Sequence, residues 1–106
     1  MNYTIYVVDI IFASGELDRL EVDGNFTDGL SQALVKAYRG RINIIRQAVD
    51  ERLFYAIKSL HYEKLEGKRK HQHSMRLNNK YRLIIEFVEH RVKGKSVKVI
   101  EITDYH

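Results

Sequence analysis

The feature that most limits how this chain can fold is a change of period. Between residues 30 and 60 apolar side chains recur every three or four positions, the spacing of a helix face. Between residues 72 and 102 they recur every second position, the spacing of strands with one buried side. With 106 residues there is material for one hydrophobic core and not two, so residues 1–106 are expected to form a single domain. The expected class is α+β, an N-terminal strand and helices packed on one face of a small antiparallel sheet.

Segment by segment, residues 3–12 read as a first strand and "GELDRLEV" as a short helix carrying Leu17 and Leu20. A longer helix is expected from Thr27 or Asp28, both good caps, with Leu30, Leu34, Tyr38, Ile42, Ile45 and Val49 on its apolar face. Gly40 lies inside it and predicts a kink or a close packing contact. Asp50 predicts the start of a shorter helix with Leu53, Phe54, Ile57 and Leu60. After "LEGKRK", His73, Met75 and Leu77 share one strand face, with Gln72, Ser74 and Arg76 on the other. Asn78 and Asn79 predict a tight turn through positive φ. The return strand puts Tyr81, Leu83, Ile85 and Phe87 inward, with Arg82, Ile84 and Glu86 opposite. A turn around Gly94 leads to a last strand from Val97 onward. The face bearing Arg76 and Arg82 is the expected groove. At the end of the chain alternation conflicts with chemistry. It puts Asp104 and His106 with Ile100 and Ile102, and Glu101 with Val97 and Val99, a conflict that a β-bulge would resolve.

Composition narrows the function. With 44% hydrophobic residues the chain is not disordered, and with no Cys it has neither disulfides nor thiolate chemistry. The start, "MNYTIYVVDIIFASG", has no Lys or Arg before Arg19 and is split by Asp9, so a strand is expected there and not an export signal. No run approaches the roughly 18 apolar residues of a membrane span, and a cytoplasmic, reducing location is expected. Net charge is +4, but residues 1–35 hold six acids and one base, and residues 36–106 seventeen bases and eight acids. Between Lys64 and Arg82 seven bases stand against one acid, Glu66, which points to a phosphate backbone. His71 and His73 put two imidazoles on one strand face. Nothing completes a metal site, so no metal and no cofactor are expected.

"SLHYEKLEGKRKHQHSMRLNNKYRLIIEF" followed by "DYH" resembles the HigB branch of the RelE/ParE toxin superfamily, whose members show K-L-x-G, then S-x-R-x-N-x-x-[YW]-R, then D-Y-H. The residues that carry the likeness are Lys64, Leu65, Gly67, Ser74, Arg76, Asn78, Tyr81, Arg82, Asp104, Tyr105 and His106, over roughly residues 30–106. The resemblance implies a RelE/ParE-like fold and a toxin that enters the ribosome and cuts messenger RNA. It also implies neutralisation by a HigA-like antitoxin with a helix-turn-helix domain. Many relatives carry His immediately before K-L-x-G. Here Glu63 stands there, with His61 two residues earlier. Lys68 replaces a common Asp and His71 a Gly.

Cutting RNA without a metal uses the ribose 2′-OH as nucleophile. The protein must remove its proton, offset charge on the phosphate and protonate the leaving 5′-oxygen. His106 is suited to proton transfer at neutral pH. Asp104 can steer the reacting groups, and Tyr105 can stack on a base or join the transfer. Arg82, Arg76, Lys64, Lys68 and Arg69 supply phosphate contacts, with the Arg fork geometry that Lys lacks. His61 and Glu63 are further candidates. The plain alternatives are that Arg82 only pairs with Glu86 or Glu101, that Tyr105 packs at an edge, and that His106 is incidental. Two other functions compete: a ParE-like inhibitor of DNA gyrase without nuclease activity, and a non-catalytic RNA-binding module.

Overall fold

The computed structural model describes residues 6–90 and 94–104. Strand β1 (Val7–Phe12) is followed by helices α1 (Gly15–Val22), α2 (Gln32–Gln47) and α3 (Arg52–Ala56), with a 3₁₀ turn at Lys58–Leu60. Strand β2 (Glu63–Lys64), a second 3₁₀ turn (Gly67–Arg69), and strands β3 (Gln72–Arg76), β4 (Tyr81–Glu89) and β5 (Lys95–Asp104) complete the chain. The five strands form one sheet in the order β1-β5-β4-β3-β2.

The helices form where periodicity placed them, and each longer one has a serine cap. Ser14 Oγ accepts from Leu17 N–H at 3.2 Å and Ser31 Oγ from Leu34 N–H at 3.1 Å. Such caps contribute about 1 kcal/mol each. Thr27 and Asp28 are not caps. Asp28 and Gly29 turn through positive φ, 52° and 76°, and Leu30 N–H closes the turn on Thr27 C=O, so α2 starts at Gln32. The helix ends at Gln47, and Val49, expected on its apolar face, is 71% exposed in the following loop. At Gly40 the helix continues unbroken, and among the described residues no atom beyond its chain neighbours and its own helix backbone comes within 4 Å of where a Cβ would sit, so the close contact expected there is not seen. Asp50 Oδ1 does accept from the first α3 amide, Arg52 N–H, at 2.9 Å.

Tyr38 locks α2 to α1. Its ring is fully buried and its hydroxyl donates to Leu17 C=O at 2.7 Å, while Arg39 Nε donates to Leu20 C=O at 2.7 Å. Together they satisfy carbonyls of α1 that water would otherwise serve. The core between helices and sheet gathers Leu20, Tyr38, Ile42, Ile45, Phe54, Leu60, Met75, Leu83, Ile85, Val97 and Val99.

Strands β2 to β5 pair antiparallel as expected, and β1 joins the open edge of β5 in parallel, making the sheet mixed. The connection between them runs through all three helices, long enough for a parallel return. The Asn78–Asn79 turn forms without positive φ, since Asn78 Oδ1 accepts from Lys80 N–H at 2.8 Å and Tyr81 N–H at 2.7 Å. Its side chain does what an unusual backbone angle was expected to do. The register of β4 and β5 slips where Ile84 faces Glu101 and Ile85 faces Val99, leaving Ile100 as the extra residue of a bulge. That bulge keeps Val97, Val99 and Ile102 on the core side and turns Glu101 and Thr103 to the other face, beside Ile84 and Arg82.

Candidate nucleic-acid interface

The sheet face away from the helices carries the charges. Arg76 of β3 and Arg82 of β4 are direct cross-strand partners. Arg76 donates to Asn79 Oδ1 and Arg82 to Asn78 C=O at 3.2 Å, so the turn between them orients both guanidinium groups. Behind them Arg41 of α2 donates through Nε to Arg76 C=O at 2.8 Å. Burial first, then the Arg76 charge, lowers the pKa of Arg41 below the usual arginine value.

His61 completes this end. Its backbone is left-handed, φ 44° and ψ 47°, a conformation that costs a non-glycine residue about 1 kcal/mol or more. Its Nε2 lies 3.4 Å from an Arg76 N–H group. Arginine can only donate, so a hydrogen bond here requires the tautomer that leaves the Nε2 lone pair free.

Farther along the face, Arg69 reaches over from the Gly67–Arg69 turn. Its guanidinium donates to Gln72 Oε1 at 2.6 Å and to Glu101 Oε2 at 3.2 Å. Gln72 in turn donates to Glu86 Oε1 at 2.8 Å, and His71 Nε2 lies 3.0 Å from the same oxygen. The two carboxylates considered as partners for Arg82 are thus held by Gln72, His71 and Arg69. Ser74, on the same face, is fully buried and its Oγ has no hydrogen-bond partner among the described residues.

Register also separates residues that sequence had grouped. Glu63 faces Ser74 and shares the arginine face, whereas Lys64 faces His73 and falls on the other side. Lys68 is exposed in the 3₁₀ turn. Asp104 faces Tyr81, one position past the Arg82–Thr103 pair, and lies 3.7 Å from Lys80 Nζ. Tyr105 and His106 lie outside the described residues. His71 and His73 do not share a face. The strand begins at Gln72, His71 turns to Glu86, and His73 stacks on Tyr62 at 5.1 Å between ring centres, nearly parallel.

Sequence reading missed Arg41, which sits one residue before a core position of α2, and the Gln72–Glu86 and Arg69–Glu101 links. No local pattern signals either, because each spans more than ten residues of chain.

The family model of HigB, a RelE-like toxin of type II toxin-antitoxin systems, matches residues 10–105. The chain belongs to this family of HigB-like toxins. Membership of a type II toxin family implies an antitoxin partner for this HigB-like toxin. Among solved structures it is similar to the YoeB/ParE toxin from Agrobacterium tumefaciens, with a TM-score of 0.59 and 15% identity over 93% of this chain and 100% of that one. At that identity the likeness concerns the fold, and it supports the RelE/ParE-like architecture. A search of curated proteins gave no match. Among the described residues no helix of this HigB-like toxin is long and apolar enough to cross a membrane.

Proposed function

We propose that this toxin is an endoribonuclease that cuts messenger RNA on the ribosome by metal-independent attack of the 2′-OH, and so inhibits translation. The observation that carries the reading is the directly opposed pair Arg76 and Arg82 on one sheet face, two fixed forks at the spacing of one cross-strand pair. A phosphate between them would offset their mutual repulsion and have its own negative charge offset as the reaction proceeds. The 2′-oxygen forms a bond to phosphorus, the bond to the 5′-oxygen breaks, and the products are a 2′,3′-cyclic phosphate and a 5′-hydroxyl end.

In this reading Arg82 stabilises the charged phosphate and Arg76 holds it. His106 transfers the proton, Tyr105 stacks on a base, and Asp104 steers the reacting groups. Arg69 and Lys68 extend the phosphate track, and Glu63 and His61 stand at its edge. The ribosome holds the strand in an attackable shape, a proximity effect. The whole chain acts as one domain in the cytoplasm, and a HigA-like helix-turn-helix antitoxin blocks it.

Single-turnover cleavage of a ribosome-bound message tests the reading. Wild-type protein should generate 5′-hydroxyl ends. His106→Ala, folded by thermal melt, should lose roughly 10²–10⁴ in rate. Unchanged cleavage by that variant would remove the acid–base role from His106, and DNA breaks in place of new RNA ends would favour gyrase inhibition.

A further inference from the structure

Three consecutive cross-strand partners form one row on the arginine face: Ser74 of β3, Ile84 of β4 and Glu101 of β5. Ile84 is 2% exposed although it stands on the face away from the helices and outside the core they cover. Ser74 is fully buried, and its Oγ has no hydrogen-bond partner among the described residues. A hydroxyl in that state costs stability, and such a group often serves something other than the fold.

Arg69 crosses above this row. It donates to Gln72 Oε1 on β3 at 2.6 Å and to Glu101 Oε2 on β5 at 3.2 Å, and β4 lies between those strands, so the guanidinium spans β4 as a strap. The Arg69 and Glu101 side chains are 43% and 44% exposed. Water screens such a pair and leaves it weak, so a nearby polyanion can draw Arg69 away. The row then presents an apolar centre, with a hydroxyl on one side and a carboxylate on the other. It lies two residues along β4 from Arg82, about 7 Å, which is the reach from a backbone phosphate to its own base. That combination fits a nucleobase with an exocyclic amino group. The flat ring covers Ile84, Ser74 Oγ bonds one edge, and the ionised Glu101, which can only accept, takes the amino group. Uracil offers a carbonyl oxygen where cytosine has its amino group, and Glu101 would repel it.

We propose that Ser74, Ile84 and Glu101 form a subsite for an amino-bearing base of the bound RNA, which Arg69 closes in the free toxin and opens by moving from Glu101 to the RNA backbone. The subsite rests on the reading that places RNA on the arginine face, and it does not need the cleavage step.

The test measures binding and not cleavage. Full-length toxin is titrated with stalled ribosomes whose messages carry 2′-O-methyl groups, which block attack by the 2′-OH, and with the same messages free at low salt. Cytosine is exchanged for uracil at each position that the toxin covers. At one position cytosine should be preferred by roughly tenfold, the value of a hydrogen bond to a charged group. Glu101→Gln, whose amide serves either base, should bring that ratio close to one. Ser74→Ala should weaken binding by roughly threefold with a base at that position and leave binding to a message abasic there unchanged. On the abasic message Glu101→Gln should tighten binding when Arg69 is present and not in an Arg69→Ala background, whereas relief of charge repulsion alone would tighten both. The absence of a cytosine preference at every position, or a preference that survives Glu101→Gln, would overturn the subsite. An equal gain with and without Arg69 would overturn its closure. If Glu101→Gln fails to fold, Ser74→Ala decides alone, and an equal loss with and without the base overturns the proposal. Failure to bind either form of RNA would overturn this proposal and the nuclease reading together. The expected ratios without cleavage of unmodified messages would remove the nuclease step and leave the subsite standing.

Discussion

Arg76 and Arg82 sit directly opposite each other across β3 and β4, held there by Asn79 and Asn78 of the turn that joins the strands. Like charges at such a position oppose folding, and the turn keeps the two forks aimed. In the proposed reading they hold an anion.

Inorganic phosphate should therefore stabilise the fold. Each kcal/mol of anion binding raises Tm by about 4–8 °C in a domain of this size. Arg82→Ala should lose the phosphate-induced rise and cleave ribosome-bound RNA roughly 10²-fold more slowly or worse. Scanning calorimetry with and without phosphate, beside single-turnover rates, checks both halves. A variant that melts lower yet cleaves normally would make Arg82 a structural residue.

Lys68 and Arg69 are neighbours in sequence with different commitments. Lys68 is exposed, while Arg69 is bonded to Gln72 and Glu101. Lys68→Ala should flatten the dependence of log affinity for ribosomes on log salt by about 0.7, the value for one single-strand phosphate contact. Arg69→Ala should flatten it less, because Arg69 must leave Glu101 before it can serve a phosphate. Equal slopes for wild type and both variants would make these side chains solvated surface.

His73 predicts a pH effect on stability. Its ring is stacked on Tyr62 and edge-on to Phe87, with Nε2 3.5 Å from Glu51 and Nδ1 buried without a partner among the described residues. Burial lowers its pKa below 6.5; Lys64 lowers it further and Glu51 opposes both. The folded state then binds fewer protons than the unfolded chain. The stability this confers is present above pH 6.5 and is lost as pH falls from there through the lower folded pKa. Melts between pH 7.5 and 5 should show wild type losing Tm more steeply than His73→Phe, which keeps the stack and removes the titration. Parallel curves would place the acid sensitivity elsewhere.

The parts of the fold that repeat were legible in sequence, and the parts set by a single contact were not. The stripe from Leu34 to Ile45 and the alternation from Leu83 to Phe87 each restate their period several times, so helix and strand followed. The start of α2 depended on choosing among Thr27, Asp28 and Ser31, all chemically able to cap. The parallel partner of β1 was hidden because an apolar strand suits either direction of neighbour. At the site, Arg76 and Arg82 could be placed on one face by counting twos, but Lys64, grouped with them as a phosphate contact, falls on the other face, because β2 is only two residues long and its register is fixed by β3. Arg41 reaches Arg76 across 35 residues of chain, a link no local pattern encodes.

That division of β2 between the two faces yields the last prediction. Glu63 shares the face of Arg76 and Arg82, and Lys64 shares the face of His73. If a carboxylate on the arginine face takes part in proton transfer, Glu63→Gln should slow cleavage by roughly 10²-fold, whereas Lys64→Ala should change it little. His61 provides the internal control for position without proton transfer. His61→Gly should relieve the left-handed backbone and so preserve or raise Tm. It should cost less activity than Glu63→Gln, because losing the imidazole beside Arg76 loosens that guanidinium and leaves Arg82 held by Asn78. The three rates, measured on the same ribosome-bound message at saturating toxin, rank the residues directly. A Lys64→Ala loss larger than that of Glu63→Gln would mean that RNA passes on the His73 side of β2, and the track drawn along the arginine face would have to be moved there.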